Sequence, residues 1–203
     1  MTAPRQTESR YALLPGDPGR VARLLVHMED AVVTQHEPPF VEAVGRVDGT
    51  PVLVAATGMG GPSVALSVGR LVARSVDTFV RVGGAGSVSP DVGFHEIVVA
   101  SAAVRHEGAS SHFLPASAPA VADPGVVDAL LRAARAQGRA VRCGVVHTKD
   151  SFFGEIDPAS TPLEDDLRAA CARGSASGSS RPRWRPRSCS AWPPDTAPAR
   201  ERS

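Results

Sequence analysis

Cysteine is scarce in this sequence, and its few positions match no familiar site. Cys143, Cys171 and Cys189 follow neither metal-ligand nor disulfide spacing. An odd and sparse count of this kind is typical of proteins that fold in a reducing cytosol. The sequence therefore gives no reason to expect a disulfide-stabilised secreted domain or a cysteine metal centre.

An excess of charge of either sign is also missing. The chain carries 22 Lys and Arg against 21 Asp and Glu, a net charge of +1, which excludes the strong basic balance of a nucleic-acid binder. No apolar run approaches the roughly 20 residues that span a bilayer. The first residues, MTAPRQTESRYALL, lack the apolar core of a secretory signal. We expect a soluble cytoplasmic protein that contacts neither membrane nor nucleic acid.

Alternating strand and helix patterns occupy most of the chain. With 203 residues, 42% of them hydrophobic, one globular domain can bury a sizeable core. The Asp48-Gly49 pair between two apolar runs is a hairpin signal, and Asp123-Pro124 and Gly138 bracket an amphipathic helix. This alternation predicts an α/β layered domain. The predicted strands cover residues 11–15, 44–47, 52–56, 77–82 (buried), 97–104 and 141–147, and the predicted helices cover 18–28, 64–74 and 126–137.

Three glycine turns follow predicted strands, at Gly16, at residues 57–61 and at residues 83–86. Ligands of α/β sheets bind beyond the carboxyl ends of the strands, and a glycine lets backbone N–H groups approach an anion. Arg20 follows the first turn and Arg81 precedes the third. Because a guanidinium binds phosphate bidentately, these groups together suit a phosphate. The alternative is that the glycines only make tight turns and the arginines are solvated.

The glycine motifs match neither common nucleotide fingerprint. The segment TGMGG (57–61) is not a clean dinucleotide motif followed by a ribose-binding acid, and no Gly-Lys-Ser/Thr phosphate loop occurs. A Rossmann-type dinucleotide enzyme therefore remains the weaker alternative.

Six segments of the chain form an ordered set: LLPGDPGRV (13–21), ATGMGGPSVAL (56–66), FVRVGGAGS (79–87), VRHEGASSHF (104–113), PAVAD (119–123) and HTKDSFFGE (147–155). In the same order and at similar spacing over residues 11 to 168, they resemble the uridine phosphorylases of the nucleoside phosphorylase superfamily. The resemblance implies an α/β fold with a mixed central sheet flanked by helices. It also implies a pentosyltransferase that cleaves a nucleoside, uridine first, with inorganic phosphate.

The same resemblance assigns roles to individual residues. Gly16, Arg20 and Arg81 match the phosphate-binding positions, with the two arginines as the catalytic groups, and Gly84 stands at a further phosphate position. Phe152 matches the aromatic residue of the nucleoside pocket, for which core packing is the alternative role. Glu155 stands where the family reads the base.

The resemblance further implies that no metal or organic cofactor takes part and that phosphate is the co-substrate. Family members assemble as hexamers built from dimers, so a homo-oligomer is expected. Sister enzymes act on purine nucleosides and methylthioadenosine, and these substrates remain alternatives. A non-catalytic module that binds phosphate or nucleoside is a further alternative.

Several positions depart from the family pattern. Gly84 replaces a Thr that touches phosphate and ribose, and Pro38 stands where the family donates an Arg to the neighbouring subunit. Glu155 replaces a Gln, and an ionised Glu cannot donate a hydrogen bond to the base. The His that family members carry near the N-terminus has no counterpart here.

The last residues differ in character from the rest of the chain. Residues 171–203 are rich in Arg, Pro and Ser without helical or strand periodicity, which predicts disorder beyond an incomplete phosphorylase-like domain at 1–170. If the codons of residues 182–185 are CCG AGA TGG AGG, a shifted frame encodes Glu-Met-Glu, the family's ribose-binding segment, followed by a helix-like stretch. We therefore expect residues 177–201 to be the family sequence translated out of frame and the fold to be truncated there, a natural disordered tail being the alternative.

Overall fold

The computed structural model describes residues 9–87, 89, 92–151, 154 and 157–169. Phe152, Glu155 and the segment 171–203, with the expectations attached to them, lie outside the described residues. The chain divides into two compact units. The first contains the residues up to Ala85 together with Gly108–Phe113, and the second contains Gly86–Glu107 and the residues from Leu114 onward.

The first unit is built on a five-stranded mixed sheet in the order β2-β3-β4-β1-β5. β1 runs parallel to β4 and β5, whereas β2, β3 and β4 are antiparallel. The predicted mixed α/β architecture is confirmed. Its elements are β1 Tyr11–Pro15, α1 Gly19–Leu25, β2 Glu29–Glu37, β3 Phe40–Val47, β4 Thr50–Ala55, α2 Gly61–Val72, β5 Thr78–Val82 and a 3-10 turn at Ala109–His112.

Both faces of this sheet are buried at its centre. Alternate residues of β4 point to opposite sides, so Leu53 joins an apolar cluster with Leu71 of α2. Val54 instead joins a cluster with Val21 of α1. This two-sided burial explains why β4 has a continuous apolar run rather than an alternating one.

Local turn chemistry determines the hairpin between β3 and β4. Asp48 and Gly49 both adopt positive φ, 48° and 73°, as a tight two-residue turn between antiparallel strands requires. The predicted hairpin is thus confirmed, and β3 extends further towards its N-terminus than the sequence indicated.

Two strands of the first unit depart from the sequence prediction. β2 had no predicted counterpart, because its side chains are exposed apart from the half-buried Gln35, which leaves no apolar alternation to detect. β5 forms where expected but is not fully buried, since Arg81 and Val82 at its end are exposed. β5 lies at the edge of the sheet, where fewer neighbours cover it.

The second unit contains a three-stranded sheet in the order β7-β6-β8, with α3 packed against β6 and β8. Asp123 caps α3 by accepting a hydrogen bond from the Val126 N–H at 2.9 Å, and Gly138 ends the segment at a φ of 66°. The predicted start and stop of this helix are confirmed. The elements are β6 Ile97–His106, β7 Ala120–Val121, α3 Pro124–Ala136, β8 Val141–Lys149 and a 3-10 turn at Pro158–Ser160, with 164–169 also helical.

The helices of the described ranges are short. No helix there has both the length and the apolar character needed to cross a bilayer.

Candidate anion site at three glycine turns

The three glycine turns lie at one edge of the first unit's sheet. β1 is the central strand of the β4-β1-β5 group and runs parallel to both neighbours. The segments that leave these strands within the first unit, at Gly16, at 57–61 and at 83–85, therefore emerge side by side. The sequence predicts each turn after a strand, and the strand order makes the three turns neighbours.

Arg81 connects the first and third turns. A Cβ built on Gly16 would lie 3.4 Å from Arg81 Nη2, and one built on Gly83 would lie only 2.3 Å from Arg81 Nη1. The guanidinium thus occupies the space that a Cβ on Gly83 would need, and it lies within van der Waals contact of the Gly16 Cβ position. The second turn lies at the same place, because the Gly58 carbonyl oxygen is 3.5 Å from the Gly16 Cβ position.

The guanidinium of Arg81 pairs with no carboxylate of the described residues. Within the described part of the chain, neither Arg20 nor Arg81 forms a side-chain hydrogen bond or ion pair, and both side chains are exposed. Other arginines of the same unit do pair with carboxylates, as Arg10 does with Asp77 and Arg74 with Glu42. An unpaired guanidinium beside accessible backbone is suited to an exogenous anion.

Arg20 is the second residue of α1, the helix that follows the first turn. The Asp17 side chain accepts a hydrogen bond from the Gly19 N–H at 2.9 Å, and the Arg20 N–H donates to the Asp17 carbonyl at 3.0 Å. Pro18 stands just outside α1 rather than at its first position, and the helix has only seven residues. That the Arg20 guanidinium joins Arg81 at one anion remains a prediction.

Gly84 and Pro38, two of the positions that depart from the family pattern, have different surroundings. A Cβ built on Gly84 meets no atom within 4 Å, so a larger side chain would fit there. Pro38 is exposed, and it precedes Pro39 through a cis peptide bond.

Sequence reasoning gave no role to the hydroxyls that flank the second turn. Thr57 is completely buried, and the Ser63 hydroxyl donates to the Thr57 carbonyl at 2.5 Å. A hydroxyl residue at each end of a glycine segment is the signal that could have indicated such a bond.

A pair of imidazoles lies in the second unit, where β6 and β8 run side by side. His147 Nε2 and His106 Nδ1 are 2.6 Å apart, with the rings edge to face. Burial lowers the pKa of His147, and the nearby His106 and Lys149 add to the effect. Burial also lowers the pKa of Lys149. No third His, Cys, Asp or Glu among the described residues joins this pair in a metal-binding group.

Residues 10–173 match the sequence model of the phosphorylase superfamily. The chain belongs to this superfamily. The matched region includes all three glycine turns and the arginines beside them, so the candidate site lies within the family domain.

Curated relatives of this phosphorylase-superfamily chain include several uridine phosphorylases. The enzyme of Treponema pallidum is 38% identical over 157 residues, 77% of this chain and 61% of the relative. The one of Thermococcus kodakarensis is 36% identical over 171 residues, 80% of this chain and 62% of the relative. A guanosine phosphorylase of Halorubrum lacusprofundi is 32% identical over 146 residues, 72% of this chain and 61% of the relative. The chain thus spans about three-fifths of the length of the relatives it matches.

Proposed function

We propose that this chain carries the phosphate-binding part of a nucleoside phosphorylase whose reaction is the conversion of uridine and phosphate to uracil and ribose 1-phosphate. The observation that carries the proposal is the Arg81 guanidinium beside Gly16, which has no partner among the described residues and lies at the edge where three glycine turns meet. The uridine phosphorylases among the relatives support uridine as the substrate.

Phosphate is the nucleophile in this proposal. One of its oxygens attacks the anomeric carbon of the ribose, the glycosidic bond breaks, and the bonding electrons leave with the base. Arg20 and Arg81, as the catalytic groups, would hold the phosphate through charge-assisted hydrogen bonds, with Gly16 and Gly84 offering backbone approach. Because the transition state resembles an oxocarbenium ion beside a phosphate anion, positioning and electrostatics supply the catalysis.

We propose that inorganic phosphate is the co-substrate and that neither a metal nor an organic cofactor takes part. The proposal includes a homo-oligomer, a hexamer built from dimers, in which neighbouring subunits complete each other's sites. It also places the protein in the cytoplasm. The family resemblance supports the co-substrate and the assembly, and the sparse cysteines are compatible with a reducing compartment.

The direct test is base release from the purified chain. Uracil release from uridine that requires phosphate, and that falls at least about a hundredfold in Arg81→Ala, is the expected result. Arg23→Ala removes an exposed arginine from the last turn of α1 and serves as the matched control. Phosphate binding without base release would favour a non-catalytic module, and absence of phosphate binding would contradict the proposal.

Guanosine is the second candidate substrate, because a guanosine phosphorylase is among the relatives. Base release from guanosine and methylthioadenosine is therefore measured beside uridine. A larger rate constant for guanosine than for uridine would replace the pyrimidine assignment.

Glu155 provides a specific test of base choice. Although Glu155 lies outside the described residues, the motif places it where the family reads the base. Glu155→Gln restores a hydrogen-bond donor, so activity on uridine should rise relative to guanosine. An unchanged ratio of the two kcat/KM values would mean that this position does not read the base.

A further inference from the structure

The second glycine turn requires contacts that hold its backbone in one conformation. Gly58 and Gly60 adopt φ values of 71° and 88°, in a region that glycine enters freely. A segment with two such residues has many alternative conformations, so a single geometry requires specific contacts.

Ser63 supplies one of these contacts. It is the third residue of α2, and its hydroxyl donates to the Thr57 carbonyl at 2.5 Å, on the far side of the turn. A Cβ built on Gly58 would lie 2.7 Å from Ser63 Oγ. The hydroxyl thus occupies the space that the glycine leaves, and it closes the turn onto the rigid helix.

Thr57 continues the connection to the first turn. Its N–H donates to the Pro15 carbonyl at 2.9 Å, and its hydroxyl lies 3.5 Å from the same carbonyl oxygen and 3.2 Å from that of Gly58. Pro15 is followed directly by Gly16, the residue beside the Arg81 guanidinium. A chain of hydrogen bonds therefore runs from α2 through the second turn to the anion site.

We propose that Ser63 and Thr57 are positioning residues for phosphate, which they serve by holding the second glycine turn against the first. The inference rests on the proposed function, since it specifies what keeps that anion site in its binding geometry. Neither residue is proposed to touch the substrate. We name the two side chains and their hydrogen bonds the hydroxyl clasp.

The chain offers a matched control on the same helix. Ser67 lies one helical turn after Ser63, is 6% exposed, and its hydroxyl has no hydrogen-bond partner in the described structure. Ser63→Ala and Ser67→Ala therefore remove the same group from α2, but only the first removes the contact with the turn. Ser63→Thr retains a hydroxyl and serves as the rescue variant.

The experiment uses the full chain and two readouts. Hydrogen exchange of peptides covering 14–21 and 57–63 reports how firmly the turns are held, and calorimetry with inorganic phosphate reports the anion site. We expect Ser63→Ala to exchange faster in both peptides and to bind phosphate about fivefold more weakly, the effect of one lost hydrogen bond. Where turnover is measurable, KM for phosphate should rise while kcat changes little, because the clasp acts through the bound anion.

Ser67→Ala should match the parental chain in both readouts, and Ser63→Thr should recover most of the affinity. Equal behaviour of the two alanine variants, in a parental chain that binds phosphate, would overturn the clasp alone. Faster exchange with unchanged phosphate affinity would also overturn it, because the turn would then be held without serving the anion. A parental chain that binds no phosphate would overturn the proposed function as well as the clasp.

Discussion

Gly83 and Gly84 are adjacent in sequence but have opposite steric surroundings. A Cβ on Gly83 would lie 2.3 Å from Arg81 Nη1, whereas a Cβ on Gly84 would meet nothing within 4 Å. The atom that must move away from Gly83 is the end of a flexible side chain, so the protein can accommodate alanine by displacing the guanidinium. Stability and anion binding should therefore respond differently at this position.

Gly83→Ala should weaken phosphate binding by about tenfold, since a charge-assisted contact is lost or lengthened. The thermal midpoint should stay close to the parental value. Gly144→Ala in β8 is the control, because a Cβ there also meets nothing within 4 Å, and it should change neither quantity. Calorimetry with phosphate and thermal unfolding measure both, and equal phosphate affinities of the two variants would contradict the placement of Arg81.

Gly84 also permits a gain of function. The family resemblance places a phosphate-binding Thr there, the space is open, and Gly84 does not adopt the positive φ that excludes larger residues. Gly84→Thr should lower KM for phosphate about threefold to tenfold by adding one hydroxyl contact. Gly84→Val adds similar bulk without the hydroxyl and should give no gain. Equal KM values for these two variants would show that position 84 does not face the phosphate.

At the scale of elements, β6 and β8 are linked by the His106–His147 pair. Burial, His106 and Lys149 lower the pKa of His147 below its ordinary value of 6.5. The unfolded chain therefore takes up a proton at a higher pH than the folded chain does. His147 contributes its full stability above the unfolded pKa, and this contribution declines as the pH falls from about 6.5 towards the lower folded pKa.

His147→Gln should reduce the loss of stability between pH 7 and pH 5, because one group that titrates differently in the two states is removed. Urea midpoints at the two pH values measure the effect, and His36→Gln on the exposed strand β2 is the control. If His147→Gln loses as much stability over this interval as the parental chain, the pKa of His147 is not lowered by the fold.

At the scale of the molecule, the second unit exposes several apolar side chains to solvent. Val98 is 43% exposed, Val121 68% and Val145 54%. Exposed apolar residues of this kind promote self-association in water.

The chain also spans about three-fifths of the length of its relatives. We propose that residues 177–201 are family sequence translated out of frame.

Expression of two versions tests this proposal, one with the sequence as it stands and one with the frame restored across 177–201. The restored Glu-Met-Glu would hold the ribose hydroxyls through charge-assisted bonds worth about 1.5–3 kcal/mol each. Its absence should lower the rate of uracil release about tenfold to a hundredfold. The unrestored chain should also aggregate more, which light scattering measures. Equal activity of the two versions would refute the frame proposal. A restored protein that folds but remains inactive would instead implicate Gly84 and Pro38.

The sequence by itself determined the features that depend on near neighbours. The Asp48-Gly49 turn, the capped helix α3 and the placement of each glycine turn after a strand follow from local backbone preferences and hydrophobic periodicity. Only the tertiary structure decided which strands pair. It made β2 an exposed edge strand and placed β1 between β4 and β5. It thereby brought Arg81 against Gly16, and the second turn with its hydroxyl clasp against the first. Pairing joins residues far apart in the chain and depends on how much apolar surface the whole sheet buries. A local sequence pattern does not contain this information.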